Sequence, residues 1–300
     1  MFFLISAMLT WKSLDKIQKG EADNEEKKTG FFYLKKFTHI IPIYYFTMIV
    51  ALTIPELRFT DYSVWNYVMH GLLLHGLHPD WINPFNLEWY IADLTLWYLI
   101  APFLHKVIQT RREAGIAVIV SVIVCAIYTV FANALFGLQI IQNDTFERYF
   151  HTFCFLNQLP GMLIGVYLYY LVNDKKILNI VLYIGISIVC SALFVYFRFN
   201  KQFLPSSLIA SLLFGCFILL LYHMRDIAIF HPFEWMGKHS LGIYLTHNIV
   251  IRCLFDWGDN IGWIMALMIV LAITFLVGYW TEKGNSYIGD HLMKLINVHK

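Results

Sequence analysis

The sequence predicts an all-α protein: a polytopic transmembrane helical bundle with eight full spans and a partial one at the N-terminus. Three observations lead there. Hydrophobic residues fill 59% of the 300 positions and charged residues only 14%, where a soluble domain carries roughly a quarter. Such a chain cannot cover itself with polar surface, so its solvent is lipid. Apolar runs recur along the whole length, which makes residues 1–300 a single integral membrane domain. The basic residues, finally, collect in alternate loops.

The first element is the stretch MFFLISAMLTW. Eleven helical residues rise about 16 Å against a hydrocarbon core of about 30 Å, so the stretch is only part of a span. No basic region precedes it and no small-residue cleavage site follows, which argues against a signal peptide. Residues 12–39 are charged and read as a loop, with 12–30 solvated. Runs long enough to span follow at 40–57, 87–106, 114–136, 150–172, 177–197, 204–222, 236–255 and 261–281. Pro42, Pro102 and Pro160 fall near or within them, which membrane helices tolerate. The stretch 62–78, DYSVWNYVMHGLLLHGL, is too short and polar to span and reads as an interfacial or re-entrant helix.

Alternating the spans gives one set of loops at 12–39, 106–113, 173–176, 223–238 and 282–300. All but five of the 22 Lys and Arg lie in this set; the five are Arg58, Arg148, Arg198, Lys201 and Arg252. The excess assigns the set to the cytoplasm. Residues 12–39 become a cytoplasmic loop, 62–78 an outer segment and 282–300 a cytoplasmic tail, with the chain starting outside. Trp65, Trp81, Trp89, Trp257 and Trp263 gather at outer ends of spans, as interfacial anchors or as a face for sugar rings.

Several chemistries are excluded. A net charge of +2 is too small for nucleic acid. Cys125, Cys154, Cys190, Cys216 and Cys253 are scattered singly in apolar runs and read as small buried hydrophobes, not metal ligands or disulfides. No Walker loop, dinucleotide fingerprint, GxSxG elbow or HExxH is present.

Polar groups within the apolar runs are the candidates, because an ionisable group at a helix centre costs about 2.5–3.5 kcal/mol on insertion scales. Asp93, in EWYIADLTLWYLIAP, is the clearest, with Trp89 and Trp97 at i−4 and i+4. It serves either a helix–helix hydrogen bond or salt bridge, or the orientation of a catalytic group or the binding of a sugar hydroxyl. In MGKHSLGIYLTHNIV, Ser240, Tyr244 and His247 share a face, and His247 suits acid–base work near neutral pH. In HTFCFLNQLPGMLIG, His151 and Gln158 share a face, while Gly161 and Gly165 form a small-xxx-small pair that suits close helix packing. In FYLKKFTHIIPIYY, Lys35, Lys36 and His39 precede a span, as positive-inside anchors or as a cradle for a phosphorylated ligand. His70, His75 and His78, with Asp80, have a spacing that raises a metal site, but the donor set is too incomplete for one to be expected.

At these same residues the sequence resembles the acyltransferase-3 family of bacterial multi-pass membrane proteins, which O-acylate cell-envelope and exported carbohydrates. FFLISAMLTW is similar to its second span, of the form FFxLSGFLI, with Ala7 in place of the glycine. FYLKKFTHIIPIYY resembles FxxRRxxRIxPxYY, EWYIADLTLWYLIAPFL resembles WxLxxExxFYLxxP, NQLPGMLIG resembles RLPxFxxG, and MGKHSLGIYLTH resembles LGxxSYxIYLxH. The matches keep the family's order from residue 2 to about 250.

The resemblance implies an acyl-CoA donor, acetyl-CoA first among them, on the cytoplasmic side. It implies a carbohydrate acceptor reached from outside, and a place in the lipid of the bacterial cytoplasmic (inner) membrane. Lys36 and His39 occupy the positions of the family's Arg-x-x-Arg pair and are expected to contact CoA phosphates, though without its bidentate grip. The acidic position of WxLxxExxFYLxxP is held by Leu94, with Asp93 one residue earlier. Asp93, Tyr244 and His247 are expected to line the passage between donor and acceptor. The family's first span carries an arginine and the histidine regarded as catalytic; neither has a counterpart in this chain. With the outside start, this leads to the expectation that the chain has lost its beginning, in the gene model rather than in evolution. Two other functions remain open: a transporter of polysaccharide or lipid-linked sugar, and an inactive acyltransferase-like protein.

Overall fold

The computed structural model describes residues 2–19, 25–53, 63–77, 89–137, 154–174, 180–199, 203–223, 235, 237–254 and 262–298. Among them there are ten α-helices and no strand. They are α1 (Phe2–Gln18), α2 (Glu25–Thr53), α3 (Val64–Gly71), α4 (Trp89–Val107), α5 (Arg111–Gly137), α6 (Phe155–Asn173), α7 (Ile180–Phe199), α8 (Phe203–His223), α9 (Ser240–Leu254) and α10 (Trp263–Val298); a 3-10 turn, His75–Leu77, precedes α4.

Each expected span coincides with a helix. Among the described residues three stretches are long and apolar enough to cross a membrane: Arg111–Leu135, Phe155–Asn173 and Ile264–Leu295. Shorter apolar stretches lie at Val181–Phe197, Leu208–Tyr222 and Ser240–Ile251. The all-helical fold is therefore established, and the count of eight full spans is not.

Two segments expected as polar connections are helical. Helix α1 runs on to Gln18, through Leu14, which is buried, and Asp15, which bonds to two other helices. Helix α10 runs on to Val298, through most of the expected tail. Hydropathy marks where a helix leaves an apolar solvent, but the backbone ladder continues wherever good helix formers follow.

The chain forms two compact units. The first comprises Met1–Thr29, Val68–Ile82 and Glu88–Asp226. Within it α1 packs on α6, α5 on α6, and α7 on α8. The α1–α6 contact is set by Gly165: a Cβ there would lie 2.1 Å from the backbone oxygen of Leu4. Leu4, Ile164, Leu168, Leu171, Tyr183 and Leu219 form a core around that contact. Helix α5 is patterned for lipid. Ala114, Ser121, Cys125 and Ala132 are buried at helical spacing, while Ile116, Ile119, Ile123, Ile127 and Phe131 are exposed. Small residues face protein and large apolar ones face outward, the reverse of a soluble helix.

The second unit comprises Gly30–Tyr67, Asn83–Leu87 and Ile227–Lys300. Here α9 and α10 cross at two glycines. A Cβ on Gly242 would lie 2.3 Å from the Gly278 carbonyl oxygen, and one on Gly278 would lie 2.7 Å from Ile243.

Candidate functional site

In the second unit, α2 buries Phe32, Ile40, Ile43, Tyr44 and Thr47 at helical spacing. Lys36 falls on that same face, one turn after Phe32 and one before Ile40, and is half-buried for that reason. Its ammonium lies 5.7 Å from the Phe32 ring centroid, a cation–π contact. Lys36 stands ahead of the apolar stretch that begins at residue 40. Burial, helped by the charge of Lys35, brings its pKa down to about 8. Lys35 is exposed.

His39 is held from α10. Its Nε2 lies 3.3 Å from Glu282 Oε1, and its carbonyl oxygen accepts a bond from Asn285 Nδ2 at 2.6 Å. Glu282 is 4% exposed, and its Oε2 accepts the backbone N–H of Gly242 at 3.0 Å. Gly242 sits in the first turn of α9, where backbone N–H groups lack partners within the helix and the dipole favours a negative charge. A single carboxylate thus ties the basic turn of α2 to the start of α9. Sequence reasoning misses Glu282 and Asn285, because both lie past the apolar run in the stretch it reads as a tail. The signal was present: Gly278, Glu282, Asn285 and Gly289 continue one helical face past the apolar run.

Tyr244 and His247 lie on α9 with their rings 5.6 Å apart. His247 Nδ1 meets the Tyr244 carbonyl oxygen at 2.5 Å. A carbonyl can only accept, so Nδ1 carries the proton and Nε2 is the basic nitrogen. Asp93 lies in the first unit, and Tyr244, His247, Lys36 and His39 in the second.

Asp93 is fully buried, and neither of its oxygens has a hydrogen-bond partner among the described residues. The first half of α4 is buried on every side, from Tyr90 through Thr95, and is enclosed by protein, while Leu99, Phe103 and Val107 are exposed along its second half. Its far end carries a polar cluster with no signature in the sequence. His105 Nε2 lies 2.8 Å from Asp15 Oδ1, and Tyr169 donates its hydroxyl to Asp15 Oδ2 at 2.6 Å. Trp11 stacks on Trp97 and donates its Nε1–H to Tyr170, which donates in turn to the carbonyl of Ile108. The cluster joins α1, α4 and α6.

Other expectations resolve plainly. Gly161 and Gly165 serve packing: a Cβ on Gly161 would lie 2.9 Å from Ser211 Oγ. His151, His78 and Asp80 lie outside the described residues. Among the described residues no three His, Cys, Asp or Glu are grouped to hold a metal. Cys125, Cys154 and Cys190 are buried as expected; Cys216 is intermediate and Cys253 exposed.

A family model described as an acyltransferase domain, that of the acyltransferase-3 family, matches residues 1–283. The chain belongs to the acyltransferase-3 family. Membership and the apolar helices together make it a membrane acyltransferase. No curated protein and no solved structure matches this acyltransferase significantly.

Proposed function

We propose that this membrane acyltransferase moves an acyl group, acetyl in the first instance, from acyl-CoA to a hydroxyl of a cell-envelope or exported carbohydrate. Its proposed place is the bacterial cytoplasmic membrane, with the C-terminus inside. The observation that carries the reading is the basic turn of α2. Lys35, Lys36 and His39 stand within five residues, and His39 is fixed at both its imidazole and its carbonyl by α10. Two lysine ammoniums beside a positioned imidazole suit a ligand with several phosphates, whose oxygens can accept hydrogen bonds from all three. Lys36 and His39 are the proposed contacts to the CoA phosphates.

Acyl transfer to a hydroxyl also needs polar groups in a dry setting, where electrostatic interactions are strong. Asp93 is the proposed orienting group in the first unit. A buried carboxylate without a partner is costly, and a substrate hydroxyl would supply a donor. Tyr244 and His247 are the proposed polar lining of the second unit. The test is Lys36→Glu: acetyl-CoA should bind at least tenfold more weakly to the purified variant, one charge reversal at a phosphate contact being worth about 1.4 kcal/mol or more. Unchanged affinity would remove the phosphate assignment.

A further inference from the structure

We propose that Trp235, held by His239 and Tyr279, stacks on the adenine ring of the acyl-CoA donor. The proposal rests on the acyltransferase reading above and deepens it: that reading gives partners to the phosphates of CoA and none to its base. Trp235 and His239 precede α9, and Tyr279 lies on α10; all three belong to the second unit, with Lys36 and His39.

The three rings hold one another. Those of Trp235 and Tyr279 are stacked, with centroids 5.7 Å apart at 24°. His239 meets both, 4.9 Å from Trp235 at 58° and 4.9 Å from Tyr279 at 74°. Offset stacking and edge contact are the arrangements aromatic rings prefer, so the indole is fixed in orientation. Trp235 nevertheless stays 42% exposed. An indole braced by two rings and still open to solvent is a platform for another flat ring, and every nucleotide base has such a face.

Its position commits the platform to a nucleotide. Glu282 reaches His39 with one oxygen and the Gly242 N–H with the other. Tyr279 precedes Glu282 by three residues, less than one turn of α10. His239 precedes Gly242 by three residues at the start of α9. The stacked rings and the basic turn of α2 therefore flank the same carboxylate. In CoA only the ribose separates the adenine from the phosphates. A ligand whose phosphates meet Lys36 and His39 carries its base into this neighbourhood. Lys283, one turn on from Tyr279, adds a positive charge at the rim, its ammonium 5.9 Å from the Tyr279 centroid and 5.1 Å from that of Trp280. A cation there favours an anionic ligand over a neutral aromatic one.

Trp280 is the contrast. It is 58% exposed and meets Tyr279 at 73°, with no stacked ring among the described residues. That is the setting of an interfacial anchor, which needs no partner ring.

The test is equilibrium dialysis of labelled acetyl-CoA on the purified full chain, with two competitors. 3′,5′-ADP carries the base and phosphates without the pantetheine arm; pyrophosphate carries phosphates alone. Trp235→Leu should weaken acetyl-CoA and 3′,5′-ADP about tenfold each, in the range for removing a ring from under a base. It should leave pyrophosphate within about threefold. Trp235→Phe, which keeps a ring, should stay within about threefold of wild type for all three, and so should Trp280→Leu. Lys36→Glu should weaken all three, since it acts on phosphate. Unchanged acetyl-CoA affinity in Trp235→Leu would overturn the adenine assignment. So would a parallel loss of pyrophosphate, an equal loss in Trp280→Leu, or a Trp235→Phe as weak as Trp235→Leu. Each of these leaves the acyltransferase reading standing, because wild type still binds the donor. A wild type that binds no acetyl-CoA would overturn that reading and this proposal together.

Discussion

The Glu282 carboxylate lies 3.3 Å from the His39 imidazole and 3.0 Å from the backbone nitrogen of Gly242. Glu282→Ala removes both bonds and should cost about 1–3 kcal/mol, read as a lower melting temperature in detergent. Glu282→Gln keeps an oxygen for the Gly242 N–H and should lose less. Equal melting of Glu282→Ala and wild type would show that the bridge contributes nothing.

Lys36 titrates near 8 where an exposed lysine titrates near 10.5. The free ammonium therefore loses its charge as pH rises through about 8. Acetyl-CoA affinity should fall between pH 7 and 9. Lys36→Arg, whose guanidinium stays protonated, should flatten that fall. Equilibrium dialysis across this range checks both, and a flat wild-type profile would contradict the role of Lys36.

Asp15 joins α4 and α6 to α1 through His105 and Tyr169. Burial alone would raise its pKa, but the bonds from Tyr169 and His105 outweigh it and hold the carboxyl below 3.8. A depressed carboxyl adds stability that is present above the ordinary value and lost as pH falls through the folded one. The contribution should thus be complete at neutral pH and disappear only below about 4. Asp15→Asn should cost about 2–4 kcal/mol at pH 7, measured by thermal or chemical unfolding.

Gly165→Ala places a methyl 2.1 Å from the Leu4 oxygen and must push α1 from α6. Helix propensity alone would favour alanine by about 1 kcal/mol. The substitution should nevertheless destabilise, by about 1–3 kcal/mol. Gly185→Ala is the contrast: nothing lies within 4 Å of its Cβ, so it should be neutral or mildly stabilising. Identical behaviour of the two variants would deny the close approach.

The helices of this chain were legible because lipid imposes a simple rule: long apolar runs mark where backbone must satisfy itself. The packing of Gly165 was legible for a related reason, since small residues four apart have few other uses in a membrane helix. Glu282 was not, because a charged residue past an apolar run reads as the end of an element, although α10 continues there in a polar setting. Asp15 and His105 were invisible for another reason. They are 90 positions apart, and no local pattern joins them. Lys36 and His39 were found, but the sequence could not say that one is half-buried and the other held by an acid.

The account stands most directly on transfer itself. The purified full chain, in nanodiscs, is given labelled acetyl-CoA and a soluble oligosaccharide, and the sugar is analysed for alkali-labile acetyl ester. The account predicts ester that forms only with protein and acetyl-CoA together. Absence of ester, with labelled sugar crossing proteoliposomes in the absence of acyl-CoA, would contradict it and make the chain a transporter.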